Sequence, residues 1–178
     1  CCLFFCVKIP PKTFAIAIFG RSWHQQKRDI HETIFHSYTF TSIPSTYTDL
    51  VLIFSGKQGT ATDFFSMQFN GDTGSNYSLT EFYGSGSTVG SFRASSATKI
   101  GRMPVVQDSM AKINIMNYSN TTTYKTAINR GDATSDSTHA IVGLWRSTSA
   151  ITSITLVFDS GGTFATGTTF TLYGIAAA

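Results

Sequence analysis

Short runs in which apolar and polar residues alternate dominate the chain. In one of them Ile154, Leu156 and Phe158 are separated by Thr155 and Val157, of which only Val157 breaks the alternation. A period of two places successive side chains on opposite faces of a β-strand. Gly- and Ser-rich breaks bound each run. The C-terminal third is therefore predicted to form three strands, in 138–146, 151–158 and 168–175.

Similar runs continue upstream, in 37–43, 48–55, 64–69, 77–83, 111–118 and 121–129. The run 48–55 is apolar nearly throughout, as in a strand buried on both faces. Asn70 to Gly74 is a strong turn signal. The stretch 90–102 is polar and is not assigned. No window of a dozen residues carries a helical apolar stripe, so we predict about nine or ten strands in an all-β, two-sheet β-sandwich of jelly-roll type.

Trp145 is expected in the core of this sandwich. Its run, 140–145, is apolar at both alternating sets of positions, as in an inner strand covered on both faces.

Composition and charge separate residues 37–178 from what precedes them. Residues 37–178 hold 24 Thr, 20 Ser, and eight basic against eight acidic side chains. Charged residues make up only 13% of the whole chain. A sheet protein of this kind keeps itself soluble with hydroxyls, and without a basic stripe it is not predicted to bind nucleic acid. We interpret 37–178 as the β-sandwich domain.

Residues 1–36 are interpreted as an N-terminal extension or arm. They contain all three Cys, three of the four His, and five basic against two acidic side chains. The apolar stretch 1–19 is interrupted by Lys8 and by Pro10 to Lys12, so it is not predicted to span a membrane or to act as a signal peptide. The first methionine is Met67, so a processed start or an upstream extension of the reading frame is expected.

Four residues of this segment superficially resemble a zinc site: Cys2, Cys6, His31 and His36. The 24 residues between the two pairs are about twice the spacing found in a zinc finger. We therefore predict no metal and no cofactor. Three clustered Cys do not make a disulfide framework, and a reducing cytosol suits the chain better than secretion.

Two sequence signals resemble catalytic motifs. The run Asp72-Thr73-Gly74 matches the core of an aspartic-protease motif, with Asp159 as the candidate partner, but turn chemistry explains both sites. The sequence Asp159-Ser160-Gly161 also resembles a serine-protease nucleophile loop. His139, the one His after residue 36, has no carboxylate in its sequence context that would mark it as a base. No catalytic, cofactor-binding or metal residue is predicted, and we do not expect an enzyme.

The order of several short motifs from Phe40 onward resembles short β-rich structural proteins of tailed bacteriophages. The motifs are Phe40 to Leu50, Phe69 to Ser78, Gly143 to Trp145, Ala150 to Ile154 and Leu172 to Ile175. The resemblance covers roughly residues 37–178 and implies a virion component, either a capsid decoration (cement) protein or part of a tail fibre. It supplies no catalytic or binding residue. Residues 1–36 depart from the family, whose members open with a short first strand.

The resemblance also carries expectations about partners. The subunit would assemble with its own copies, as a trimer, and with the major capsid protein or tail proteins, in virions assembled in the host cytoplasm. The alternative is a receptor-binding module that recognises host surface glycans, with Tyr77, Phe82 and Tyr83 as candidate stacking residues that serve equally well in a core.

Overall fold

All regular secondary structure in the described residues is β-strand. A computed structural model describes residues 24–29, 36–57, 63–105, 108–133 and 137–176. The strands are β1 (His24–Asp29), β2 (Ser37–Phe40), β3 (Asp49–Gly56), β4 (Asp63–Phe69), β5 (Tyr77–Ser85), β6 (Thr88–Ala97), β7 (Ile100–Val105), β8 (Ser109–Met116), β9 (Lys125–Ala133), β10 (Ser137–Trp145), β11 (Ile154–Phe158) and β12 (Thr169–Ile175). The predicted all-β fold class is confirmed.

The strands form two antiparallel sheets that pack face to face. The larger sheet has the order β1-β12-β3-β8-β9-β10-β5-β6, and the smaller has the order β2-β11-β4-β7. The smaller sheet together with the series β1-β12-β3-β8 of the larger one has the strand order of a jelly roll. The hairpins β9–β10 and β5–β6 extend the larger sheet beyond β8. The predicted two-sheet sandwich is therefore confirmed.

The unassigned stretch 90–102 supplies most of β6 and the start of β7. β6 lies at the free edge of the larger sheet and is exposed at most positions, so it carries no apolar alternation. β7 is an edge strand of the smaller sheet and contains Pro104, a residue that edge strands tolerate. Exposure at the edge explains why the hydrophobic pattern failed in β6, whereas β7 is buried and its alternation is interrupted by an irregular register with β4.

The core between the sheets is mainly aromatic. The Phe54 ring centroid lies 4.7 Å from that of Phe65 and 5.5 Å from that of Phe170. At the other side of the core the Trp145 ring centroid lies 5.5 Å from that of Phe69. Trp145 is 2% exposed, which confirms its predicted burial.

β10 has the inner position that was predicted, between β9 and β5, but it is buried on one face only. Val142 is exposed and Leu144 is half-buried on the other face. The prediction that the run 140–145 is covered on both faces is wrong, because no second layer covers this side of the sheet in the described residues.

The N-terminal segment contributes one strand to the larger sheet. In β1, His24 pairs with Gly174 and Asp29 with Thr169 of β12. The division of the chain at residue 36 stays a prediction. Of the four residues considered as zinc ligands, His36 is exposed, and Cys2, Cys6 and His31 lie outside the described residues.

Candidate functional site

A buried carboxylate links the two sheets. In β5 the alternation that buries Tyr77 and Leu79 also turns Glu81 toward the smaller sheet, where it is fully buried. Its Oε2 lies 2.6 Å from Nη1 of Arg102 in β7, and its Oε1 lies 2.5 Å from Nδ1 of His139 in β10. Both oxygens of the carboxylate therefore have a partner, as burial of a charge requires.

A bulge in β7 aims Arg102 at this carboxylate. Between the pairs Met67–Ile100 and Phe65–Met103, two residues of β7 face one residue of β4. Gly101 has a φ of 119° and Arg102 a φ of 40°, both in the left-handed region. The Arg102 guanidinium lies 3.9 Å from the ring centroid of Phe64 and 4.5 Å from that of Phe92. Two rings thus hold the cation over the carboxylate.

His139 completes the network from β10. Its Nε2 lies 3.1 Å from Oγ of Ser137, which is two positions earlier on the same face of the strand. The ring of Tyr83 stacks on the imidazole at 5.8 Å between centroids. Glu81 is the carboxylate partner that sequence reasoning missed. It precedes His139 by 58 residues, and only the pairing of β5 with β10 brings the two together.

The order Ser137–His139–Glu81 is that of a nucleophile, a base and an orienting carboxylate. Arg102 on the second oxygen of Glu81 gives the group a further, structural role, because it joins β5 and β10 to β7. Burial raises the pKa of the Glu81 carboxyl, but hydrogen bonds from His139 and Arg102 and their charge outweigh burial and hold that pKa below its ordinary value. The network is thus an ionic clamp between the sheets.

Asp72 lies in the tight turn that was predicted. Its N–H donates to the Phe69 carbonyl oxygen at 2.9 Å, with Asn70 and Gly71 both at positive φ between them. Its carboxylate accepts hydrogen bonds from Nε1 of Trp145 at 2.7 Å and from the Gly74 N–H at 2.9 Å. The Trp145 bond is the main reason that the pKa of Asp72 is held below its ordinary value.

The candidate partner Asp159 has a separate environment. Its Oδ1 lies 3.1 Å from Nζ of Lys99 at the protein surface. Asp72 and Asp159 thus have different partners, and neither contacts the other among the described hydrogen bonds. No group of three or more His, Cys, Asp or Glu side chains in the described part of the chain is placed to hold a metal ion.

The larger sheet has an outer face, the side turned away from the smaller sheet, that is apolar and poor in charge. Val142 and Ile128 are paired across β10 and β9 and are 48% and 43% exposed. Phe82 is 60% exposed and Val89 is 86% exposed. Lys112 and Arg130 form a cross-strand pair of cations on this face, in the same row of the sheet as Ala140 and Phe82. An apolar surface in the middle of a sheet is typical of a contact site.

A shallow depression of about 700 Å³ lies on the outer face. It is lined by three consecutive residues from each of β5, β6 and β10: Phe82, Tyr83, Gly84, Val89, Gly90, Ser91, Thr138, His139 and Ala140. Of the three residues considered for sugar stacking, Phe82 and Tyr83 line this depression, with the Tyr83 ring over Gly90, and Tyr77 is fully buried in the core. The depression and the Glu81 clamp therefore lie on opposite faces of the same strands.

No helix in the described residues has the length and hydropathy needed to cross a membrane. No protein-family model matches the chain, and no curated protein is significantly similar to it. The chain has a weak structural similarity to a protein of unknown function from Shewanella oneidensis MR-1. The TM-score is 0.24 and the identity 8%, over 94% of this chain and 80% of that one.

Proposed function

We propose that this protein is a structural subunit of a tailed-bacteriophage virion, a capsid decoration (cement) or appendage protein that acts through packing of subunits. The observation that carries the proposal is the outer face of the larger sheet. It exposes apolar side chains on central, fully paired strands, with Val142 beside Ile128 and Phe82 nearby. Surface of this kind is stabilised when another protein covers it.

The charge distribution supports the same reading. Residues 37–178 carry eight basic and eight acidic side chains, so copies of the domain do not repel one another through net charge. Two of these charges, Glu81 and Arg102, pair inside the sandwich, which leaves still fewer to keep the surface solvated. Low charge on an apolar surface favours assembly over a solitary monomer.

The motifs of the phage resemblance occupy positions that build this scaffold. Asn70 and Gly71 form the turn after β4, Trp145 packs against Phe69, and Gly174 leaves room for the ring of Tyr47. The resemblance therefore concerns residues that determine the sandwich, and it supports a role in which the sandwich itself is the functional unit.

Purified particles from cells that express the chain test the proposal. We expect the chain to co-purify with virions in a fixed copy number, and a particle reconstruction to place the sandwich on the capsid or on the tail. Quantitative mass spectrometry of gradient-purified particles gives the copy number. Particles that lack the chain, although it is abundant and folded in the same cells, would refute the proposal.

A receptor-binding role is the second candidate, and exposed Phe82 at the edge of the depression favours it. Aromatic rings of this kind can stack on sugar rings. Binding of host surface polysaccharide to the purified chain should then fall sharply in Phe82→Ala. Tyr124→Ala is the matched control, because Tyr124 is 53% exposed and does not border the depression. Equal binding by the two variants would remove this candidate.

A further inference from the structure

Glycines within the strands have identifiable structural reasons, with one exception. A Cβ at Gly143 would lie 2.2 Å from Ile100, one at Gly174 would lie 2.3 Å from Tyr47, and one at Gly131 would lie 2.4 Å from Met103. The same applies to Gly56 and Gly90, which face Thr168 and Tyr83 at 2.5 Å, and Gly101 has a φ of 119°. Each of these residues is glycine because the fold leaves no room or requires an unusual backbone.

Gly84 is the exception. A Cβ there would lie 3.9 Å from Oγ1 of Thr138 and 4.0 Å from the Thr88 carbonyl oxygen, which are ordinary contact distances. Its φ is not in the left-handed region. Glycine in a strand weakens the strand, so nothing inside the described molecule explains why this position lacks a side chain. A glycine of this kind marks a place where something outside the chain approaches closely.

The position of Gly84 identifies where that approach occurs. Gly84 faces outward in β5 and lies in the depression on the outer face, between exposed Phe82 and Val89. Any larger side chain at position 84 would occupy this depression. The missing side chain and the depression are therefore one feature, a recess in an otherwise flat sheet.

The chemistry of the recess favours a protein side chain as its occupant. Ser91 and Thr138 contribute two hydroxyls. Tyr83 and His139 also belong to the lining, but their side chains stack on each other beside Glu81 on the other face of the sheet. The outward side chains of the lining include no charged or amide group, since the His139 imidazole is turned to Glu81, so the recess lacks the groups that usually fix the orientation of a polar ligand. An aliphatic side chain is the best match.

The chain itself presents such a side chain next to the recess. Val89 follows the turn of the β5–β6 hairpin, where Gly86 has a φ of 56°, and it is 86% exposed. A projecting aliphatic residue and a recess on the same neutral surface are complementary to the same surface of another copy. The nearest cations of the outer face are Arg93, two residues beyond Ser91 in β6, and Arg130, the cross-strand partner of Ala140, so both lie at the margin of this contact.

We propose that the recess at Gly84 receives Val89 of a second copy of this chain. This inference deepens the proposed role and rests on it, because a structural subunit has to contact its copies. The contact buries Phe82 at its centre and covers the most exposed apolar side chain of the described domain. The number of copies that close the assembly follows from its measured mass.

Gly84→Trp is the decisive variant, because the structure has room for a side chain at this position. The fold should be unchanged, while the indole fills the recess and excludes Val89. We expect the wild-type chain to form oligomers in sedimentation velocity between about 1 and 100 μM, and Gly84→Trp to weaken the association by at least about tenfold. Val89→Asp, which changes the other partner of the contact, should have the same effect.

Ser78→Trp is the matched control. Ser78 is on the same strand and the same face as Gly84, about 20 Å away at about 3.4 Å per residue. The Ser78→Trp variant should sediment as the wild-type chain does. Circular dichroism should show the same strand content for the wild type and all three variants.

The inference is overturned if the wild-type chain is monomeric throughout, or if Gly84→Trp and Val89→Asp associate as tightly as the wild type. Loss of polysaccharide binding in Gly84→Trp of a monomeric chain would instead assign the recess to a glycan. If purified particles lack the chain but Gly84→Trp dissociates an oligomer of the free chain, the virion role is refuted. The inferred contact between copies is then still supported.

Discussion

Two regions of the same interior are built on different chemistry. Around Phe54 the sheets are joined by apolar contacts between rings, and the Phe54 centroid lies 4.7 Å from that of Phe65 in the smaller sheet. Around Glu81 they are joined by a fully buried carboxylate held by Arg102 and His139. The aromatic region gains from burial of area, which does not depend on a particular partner. The ionic region is stable only when every member is present.

This difference determines how each region responds to substitution. Loss of a ring removes contacts and leaves a cavity, and the cost follows the volume that is lost. Loss of one charge from the clamp leaves the others buried without a partner, although replacement of the whole group by apolar residues removes that penalty. Single substitutions in the two regions should therefore lower stability by similar amounts. Only in the ionic region should combined apolar replacements restore stability.

The largest effect is expected in the aromatic region. Trp145→Ala should lower the free energy of unfolding by about 3–5 kcal/mol, because Trp145 packs on Phe69 and Tyr77 and is almost fully buried. Chemical denaturation measures the change. Trp145→Phe, which keeps a ring but loses the bond to Asp72, should cost less than half as much. Equal losses in the two variants would mean that the hydrogen bond matters more than the ring.

The clamp gives the next effect and a test of the comparison. Glu81→Gln should lower the free energy of unfolding by about 3 kcal/mol, because Arg102 and His139 lose the charge between them. Glu81→Leu combined with Arg102→Met and His139→Leu should return to within about 1 kcal/mol of the wild type. Additive losses across the triple variant would show that the clamp is a net source of stability.

Acid should weaken the clamp. Because the folded-state pKa of Glu81 is held below its ordinary value, the unfolded chain binds more protons as pH falls from about 4.3 through the folded pKa. Stability from this group is present above that window and is lost within it. Thermal melting from neutral to acidic pH should show a larger loss for the wild type than for Glu81→Gln. Asp72, whose pKa is lowered in both proteins, adds an equal background. Parallel curves for the two proteins would contradict the assignment.

The aromatic region was largely predictable from the sequence, and the clamp was not. Phe54, Trp145 and Phe170 lie in runs whose period of two or continuous apolar character indicates strands, so local pattern was enough to place them in a core. Glu81 lies in a similar run, yet alternation shows only that it shares a face with Leu79. That this face is buried, and that Arg102 approaches from the other sheet, depends on long-range pairing that local sequence does not encode.

The outer face of the larger sheet also has features that local sequence pattern does not predict. Val142 was read as buried because its neighbours are apolar, but sequence does not reveal whether a second layer covers a sheet. β6 was missed because both of its faces are exposed. The Gly84 recess could be found only by comparing what a side chain would meet at each glycine. Turn chemistry was the most reliable local signal, since Asn70 and Gly71 adopt the positive φ values that their residue types favour.

The smallest effect is expected at that turn, in Asp72→Asn. The amide keeps one oxygen for the indole of Trp145 or the Gly74 N–H, but it cannot supply two charged acceptors. We expect a loss of about 1 kcal/mol in the free energy of unfolding, the same sedimentation as the wild type, and no peptide cleavage by either protein. Asp159→Asn is the control: it removes a surface ion pair with Lys99 and should change stability by no more than a few tenths of a kcal/mol. A peptide-cleavage activity that disappears in Asp72→Asn would overturn the interpretation of Asp72 as a turn residue.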